Sequence, residues 1–163
     1  FMHFLKIEFC LKLIFLICFI SIISAYFIEY ILGHQPCNLC IIERIPYGIG
    51  MFLIVSNYIF KKNEKFIIIL LLLTFFFSFF ISIYHFGIEQ NFFDESSVCN
   101  LKNSSDIITK EELLRLLNEK NVSCKDVTFR VFGFSLTAFN MNISLILVIF
   151  LTNFFKNYEK FKK

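Results

Sequence analysis

Four long apolar stretches limit what this chain can fold into more than any other feature of its sequence. They are residues 13–32 (interrupted only by Glu29), 45–60, 66–84 and 131–155. Roughly 17–25 helical residues cross a bilayer, so the last two stretches are long enough as they stand. The first two are long enough if each helix extends past a charged residue at one end. Hydrophobic residues make up 57% of the 163 positions, which is more than a soluble domain of this length carries.

The sequence therefore predicts an all-α membrane protein, a bundle of four transmembrane helices in a single integral membrane domain over residues 1–163. The expected helices are approximately residues 10–32, 41–60, 66–85 and 132–155. Two loops, approximately 33–40 and 86–131, would lie on one side of the membrane because successive helices cross it in opposite directions.

Lysines are distributed unevenly between the two sides. The tails and the turn at 61–65 carry nine lysines against three glutamates, whereas residues 86–130 carry six basic and eight acidic residues. The positive-inside rule then places both termini in the cytoplasm and the two loops on the outer side. The net charge of +3 is explained by this topology, and we expect no nucleic-acid partner.

Topology also sorts the six cysteines. Cys10 and Cys18 fall in the first helix, where we expect them to act as small packing residues. The other four lie in the two outer loops, in a compartment that permits disulfides. They are Cys37, Cys40, Cys99 and Cys124. Four cysteines allow three pairings, and proximity in sequence favours Cys37 with Cys40, which leaves Cys99 with Cys124.

The spacing of Cys37 and Cys40 favours redox chemistry. In a C-x-x-C pair one thiolate attacks a partner disulfide and the neighbouring cysteine resolves the mixed species. A purely structural bridge over so small a loop would add little stability. For Cys99 and Cys124 a structural disulfide that orders the polar loop stays open. A zinc site made of all four thiolates is disfavoured because it wants a second close pair, so we expect no metal.

Two charged residues, Glu43 and Arg44, directly follow the C-x-x-C pair. Cys40 would open the second helix, and Arg44 at i+4 would share its face and could stabilise an anion beside it. Ionisable residues in a membrane helix are functional candidates. One interpretation is a polar pocket where a quinone takes electrons from Cys40. The other is a pair of interfacial charges that reach toward the lipid headgroups.

Three segments resemble one family. "QPCNLCIIERIPYG" (35–48) is similar to the C-x-L-C-x-x-E-R signature of the disulfide bond formation protein B (DsbB) family. "IYHFGIEQ" (83–90) is similar to the end of that family's third helix, and "FGFSLTAFNMNISL" (132–145) to the start of its fourth. The resemblance covers roughly residues 30–150, although within 86–130 it rests on the cysteines more than on the rest of the loop.

The resemblance implies an oxidoreductase of the bacterial inner membrane with its cysteine pairs in the periplasm. Such a protein reoxidises a periplasmic DsbA-like thiol oxidase and passes the electrons to a membrane quinone, ubiquinone or menaquinone. Cys99 would form the mixed disulfide with the partner, and Cys124 would then exchange with Cys37. Cys40 would be the thiolate that faces the quinone. The remaining residues implied at the quinone site are Glu43, Arg44 and His85.

Two further features of the sequence lead to structural predictions. "TKEELLRLLNEK" (109–120) combines a possible capping box with a leucine stripe, which predicts a short amphipathic helix in the second loop, lying on the membrane or on the bundle. Asn140 and Asn142 lie inside the fourth helix and point to different faces, so we expect interhelical hydrogen bonds there.

Three other functions were weighed against this one. A vitamin K epoxide reductase-like enzyme also joins a C-x-x-C pair to quinone, but its active pair belongs to a late helix, whereas Cys37 and Cys40 precede the second. A membrane scaffold with two structural disulfides would not need Glu43 and Arg44 behind the cysteines. A transporter is not supported because no broken-helix repeats are found.

Overall fold

The computed structural model describes residues 2–59, 64–94, 99, 123–125, 129–131 and 133–162. Within them it contains five helices and one two-stranded hairpin. The helices are α1 (Met2–Tyr30), α2 (Asn38–Ile42), α3 (Ile45–Ile59), α4 (Glu64–Glu89) and α5 (Leu136–Lys162). The strands β1 (Arg130–Val131) and β2 (Phe134–Ser135) pair antiparallel. The amphipathic helix expected at 109–120 lies outside the described residues.

Four segments are long and apolar enough to cross a membrane, which confirms the predicted fold class. They are Glu8–Tyr30, Asn38–Ile59, Glu64–Glu89 and Leu136–Lys156. Their outer faces expose large apolar side chains such as Phe9, Phe52 and Phe77, at 67%, 71% and 65% exposure. Exposed apolar faces of this kind suit helices that contact lipid along their length.

The fourth membrane helix starts later than the sequence suggested, at Leu136 instead of 132. The reason is the hairpin before it, in which Arg130 pairs with Ser135 and Val131 with Phe134. Gly133 has a φ of 87°, a value that residues with a side chain rarely adopt, and it allows the tight reversal. The Ser135 hydroxyl then accepts the Ala138 N–H at 3.2 Å and so caps α5.

The second membrane segment is interrupted between α2 and α3, at Glu43 and Arg44. Pro46 explains the break, because it has no N–H to donate to the Ile42 carbonyl and its ring would clash with that carbonyl. The Arg44 N–H instead bonds to the Ile41 carbonyl at 3.1 Å, which tightens the chain locally. The interruption therefore lies at the two charged residues that follow the C-x-x-C pair.

The buried core joins α1, α3, α4 and α5. It includes Ile14, Cys18, Ile54, Phe75 and Leu147, each of which is at most 1% exposed. At Gly50 the helices approach closely, since a Cβ there would lie 3.1 Å from the Phe75 ring and 3.6 Å from Cys18 Sγ. The packing role predicted for Cys18 is confirmed, whereas Cys10 is only partly buried.

Candidate redox site

Cys37 and Cys40 lie where the second membrane segment begins. Cys37 is the N-cap of α2, with extended backbone angles, and its Sγ accepts the Cys40 N–H at 3.2 Å. The two sulfur atoms are 2.7 Å apart and carry no disulfide in this arrangement. A disulfide bond is about 2.03–2.05 Å long, so a small movement brings the sulfurs to bonding distance. We call Cys37 and Cys40 the helix pair.

His85, from the last turns of α4, lies directly beside the helix pair. Its Nε2 is 3.4 Å from Cys37 Sγ, and its Nδ1 is 3.0 Å from Glu43 Oε1. The hydroxyl oxygen of Thr137, on α5, is 3.4 Å from the same Nδ1. His85 is 1% exposed and Glu43 is 7% exposed. The imidazole therefore links a sulfur and a carboxylate inside the protein.

The second carboxylate oxygen of Glu43 also accepts a hydrogen bond. Asn140 donates from Nδ2 to Glu43 Oε2 at 2.9 Å and to Ser82 Oγ at 2.8 Å. The Tyr47 hydroxyl donates to Asn140 Oδ1. A buried carboxylate is costly unless its oxygens are hydrogen-bonded, and both oxygens of Glu43 have partners. Asn140 thus fixes the carboxylate that in turn orients His85.

These contacts stabilise negative charge on Cys37. The pKa of Cys37 is lowered to about 5, first by the hydrogen bond from Cys40 and then by the hydrogen bond and positive charge of His85. Burial of the thiol acts in the opposite direction, and the Cys40 N–H contributes a smaller lowering. The groups that favour a thiolate are thus gathered around Cys37.

Arg44 forms its ion pair with an acid of another helix. Its Nη1 donates to Glu29 Oε2 at 2.5 Å, and its guanidinium lies 5.0 Å from the centre of the Tyr26 ring. The sequence suggested that Arg44 would lie on the face of Cys40, one turn further along an unbroken helix. The break before Pro46 ends α2 at Ile42, and the structure pairs Arg44 with α1.

The second cysteine pair, Cys99 and Cys124, forms a disulfide across 25 residues with a Cα–Cα distance of 5.8 Å. We call it the loop pair. Both cysteines are buried, at 8% and 2% exposure, in one cluster with Cys37, Leu39 and Ile88. Asn38 Nδ2 donates to the Cys99 carbonyl at 3.5 Å. The loop pair thus joins two of the four cysteines to each other.

The structure brings most of the predicted site residues together at one end of the bundle. Glu43 and His85 join the helix pair directly, the loop pair packs on it, and Arg44 lies to the side with Glu29. The interhelical hydrogen bonds predicted for Asn140 are confirmed, whereas Asn142 bonds to the Ala138 carbonyl of its own helix.

Four polar residues at the site were missed by the sequence analysis: Glu29, Tyr47, Ser82 and Thr137. Glu29 carried a signal, because it is the sole charge in the first apolar stretch. Tyr47, Ser82 and Thr137 carried none, since single hydroxyls are ordinary in membrane helices. Thr137 also donates to Glu89 Oε1 at 2.5 Å, which extends the polar network to the end of α4.

Comparison with known proteins agrees with this arrangement. The sequence model of the family described as "Disulfide bond formation protein DsbB" matches residues 8–154. An uncharacterized protein of Rickettsia prowazekii (strain Madrid E) is 27% identical over 137 residues, covering 83% of this chain and 80% of its own length. No solved structure matches the chain.

Proposed function

The chain belongs to the disulfide bond formation protein DsbB family, and from that premise we propose that it reoxidises a periplasmic DsbA-like thiol oxidase. Family membership makes it part of the disulfide bond formation machinery, an oxidoreductase and a multi-pass protein of the inner membrane. The proposal adds the route: electrons pass from the partner to the loop pair, then to the helix pair, and then to ubiquinone or menaquinone.

One observation carries the proposal most directly. The helix pair and the loop pair, far apart in sequence, are packed in a single buried cluster at the end of α2 and α4. Thiol–disulfide exchange needs direct attack of one sulfur on another, so two pairs can share electrons only if they meet. Two disulfides that served only to hold separate loops would not need to meet.

The exchange balances in two steps. The partner's dithiol is oxidised to a disulfide as the bond between Cys99 and Cys124 is reduced, with Cys99 forming the mixed disulfide. Cys124 then attacks Cys37 in an oxidised helix pair, which restores the loop disulfide and leaves Cys37 and Cys40 as a dithiol.

The groups around Cys37 suit it as the leaving group at the end of that exchange, when Cys99 attacks Cys124 and releases Cys37 from the bond between Cys124 and Cys37. A leaving group with a low pKa departs faster, and the Cys40 N–H and His85 both stabilise its thiolate. Glu43 holds the His85 ring so that Nε2 faces the sulfur. Cys40 would be the sulfur that faces the quinone, and reoxidation of the Cys37–Cys40 dithiol to a disulfide would supply the two electrons and two protons that the quinone takes up.

Arg44 is the residue that we expect to bind the quinone, which takes up two electrons and two protons when it is reduced. The guanidinium has five N–H donors, which suit quinone carbonyl oxygens, and the ion pair with Glu29 engages Nη1. Beside it, Tyr26, Ile41 and Ile45 are about half exposed on the lipid side. Donors next to an apolar surface fit a molecule with a polar ring and an apolar tail.

The orientation in the membrane is part of the proposal. Lysines of the tails and of the turn at 61–65 support cytoplasmic termini, which places both cysteine pairs in the periplasm. We also propose that residues 1–163 form one integral membrane domain, since four membrane segments occupy most of the chain.

The proposal is tested by following quinone absorbance with the purified full-length protein in detergent. Reduced DsbA-like protein from the same organism serves as the donor, and soluble ubiquinone and menaquinone analogues serve as acceptors. We expect catalytic quinone loss that is abolished in Cys40→Ser and in Cys99→Ser. Cys10→Ser, which changes a cysteine outside both pairs, is the matched control and should retain turnover.

Each other result points to a different function. Loss of turnover in Cys40→Ser but not in Cys99→Ser would reduce the loop pair to a structural disulfide. No turnover with either quinone would overturn the oxidase and favour a scaffold with structural disulfides.

A further inference from the structure

His85 adds a nitrogen ligand to the two sulfurs of the helix pair. Sγ of Cys37, Sγ of Cys40 and a ring nitrogen of His85 all lie within 4.8 Å of one another. Cys37 and His85 are buried, at 5% and 1% exposure, and Cys40 is partly buried. Among the described residues, this is a set of soft and borderline ligands that already converges on one point.

The orientation of His85 also suits metal binding. A histidine that ligates a metal usually donates its other ring N–H to a carboxylate, which fixes the tautomer and the ring. Here Nδ1 lies 3.0 Å from Glu43 Oε1, which turns Nε2 toward Cys37, so Nε2 can ligate a metal there once it has lost its proton. Asn140 holds the other oxygen of Glu43 at 2.9 Å, which keeps the carboxylate in place.

From this geometry we propose that Cys37, Cys40 and His85 of the reduced protein bind one thiophilic divalent cation, Zn²⁺, and that the bound cation inhibits the oxidase. Two cysteines and one histidine form a three-ligand zinc set that leaves a fourth position for water or another ligand. Zinc–sulfur and zinc–nitrogen bonds of about 2.3 and 2.0–2.1 Å require the two sulfurs to lie about 3.8 Å apart. They are 2.7 Å apart here, so a turn of the Cys40 side chain opens the site.

The binding step moves protons and no electrons. Zn²⁺ binds both sulfurs as thiolates and His85 as a neutral imidazole, so the protons on these three groups leave to the solvent, and zinc keeps its oxidation state. Oxidation of the helix pair to a disulfide removes two ligands and releases the cation. Zinc and electron transfer therefore compete for the same two sulfurs. The inhibition, but not the binding, rests on the proposed function.

Zinc binding is measured with the full-length protein carrying Cys99→Ser and Cys124→Ser, so that the helix pair is the redox centre under test. Equilibrium dialysis against a chromophoric zinc chelator should give one Zn²⁺ per chain after reduction and none after oxidation to the disulfide. Co²⁺ in place of zinc should give a thiolate-to-metal charge-transfer band. Zinc bound equally by the oxidised protein would overturn the proposal.

Variants separate this site from adventitious binding. His85→Gln removes a ligand, and Glu43→Gln weakens the carboxylate behind it, a change that usually costs 10–100-fold in metal affinity. His34→Gln, at a partly buried histidine beside Phe129, is the matched control and should bind zinc as before. An affinity that is the same in all three variants would place the cation elsewhere and overturn the proposal.

A turnover assay of the unmodified protein with and without chelator keeps the two proposals distinguishable. We expect added Zn²⁺ to stop quinone reduction and chelator to restore it. If zinc does not bind but turnover proceeds, the zinc site fails and the oxidase stands. If zinc binds by the criteria above but quinone is never reduced, the oxidase fails and the metal site stands.

Discussion

The helix pair and the loop pair share a buried cluster but differ in their surroundings. Cys37 and Cys40 are three residues apart at the start of a helix, unbonded, with a histidine and a backbone N–H on Cys37. Cys99 and Cys124 are 25 residues apart and are bonded to each other. Burial is nearly equal at Cys37 and Cys99, with 5% and 8% exposure, so burial does not explain the difference.

The difference gives a physical reason for electrons to move in one direction between the two disulfides. A dithiol whose thiolate is stabilised has a stabilised reduced form, and its disulfide is therefore a stronger oxidant. His85 and the Cys40 N–H supply that stabilisation to the helix pair. We therefore expect the helix pair to oxidise the loop pair, as the proposed route requires.

The largest expected effect comes from removing the histidine. His85→Gln deletes the charge and the hydrogen bond that favour the Cys37 thiolate, while keeping a side chain of similar length. Positioned acid–base groups contribute about 10²–10⁴-fold to a rate, and we expect quinone turnover to fall by about a hundredfold. The rate is followed by quinone absorbance, with His34→Gln as the matched control. Equal turnover in His85→Gln and His34→Gln would mean that His85 does not account for the different chemistry of the helix pair and the loop pair.

Much of the fold could be predicted because its signals are local. A membrane helix is visible as length without charge, and the C-x-x-C pair as a spacing of three. The preference for pairing Cys99 with Cys124 followed from which cysteines remained, and the structure contains that disulfide. The later start of α5 at Leu136 was missed because residues 131–135, directly before it, carry no charge and continue the apolar stretch.

The site was harder to predict because its contacts join distant helices. Arg44 was expected on the face of Cys40, whereas the contacts that the structure shows for its guanidinium are with Glu29 and Tyr26. Its partner Glu29 lies on α1, and no spacing rule connects the two. Asn140 was recognised as an interhelical residue because a polar amide in an apolar run needs a partner, but Glu43 as that partner required the structure.

The second effect concerns pH and compares the pairs within one molecule. With its pKa lowered to about 5, Cys37 stays a thiolate until the pH falls to that range. Its alkylation rate in the fully reduced protein should be nearly constant from pH 6.5 to 8.5. An ordinary thiol with a pKa near 8.5 should accelerate about fifty-fold over the same interval. Peptide mass spectrometry after iodoacetamide pulses measures the extent of alkylation at Cys37, Cys99 and Cys124 in the same sample.

Two substitutions of Cys40 test the cause of the flat pH profile that we expect for Cys37 alkylation. The hydrogen bond from Cys40 is the largest cause of the lowered pKa of Cys37. Cys40→Ala removes that donor, so the profile of Cys37 should become steep, whereas Cys40→Ser keeps a hydroxyl donor and should stay flatter. Identical profiles in the two variants would contradict the assigned cause.

The smallest expected effect is on protein stability, and it should disturb the helix pair but not the loop pair. Asn140→Leu removes the donor to Glu43 and Ser82 and the acceptor of Tyr47. A buried polar group left without its partner costs about 1–3 kcal/mol, and we expect the free energy of unfolding to fall by that amount.

Asn142→Leu is the matched control, two positions away in the same helix. The Asn142 amide bonds to a carbonyl of its own helix and is partly exposed, so we expect a change within about 0.5 kcal/mol. Unfolding is measured by denaturant titration in mixed micelles. Nonreducing gels should show the bond between Cys99 and Cys124 intact in both variants, because Asn140 supports the helix pair through Glu43 and His85. Loss of that bond in Asn140→Leu would show that the two pairs depend on one polar network, and the contrast between them would not hold.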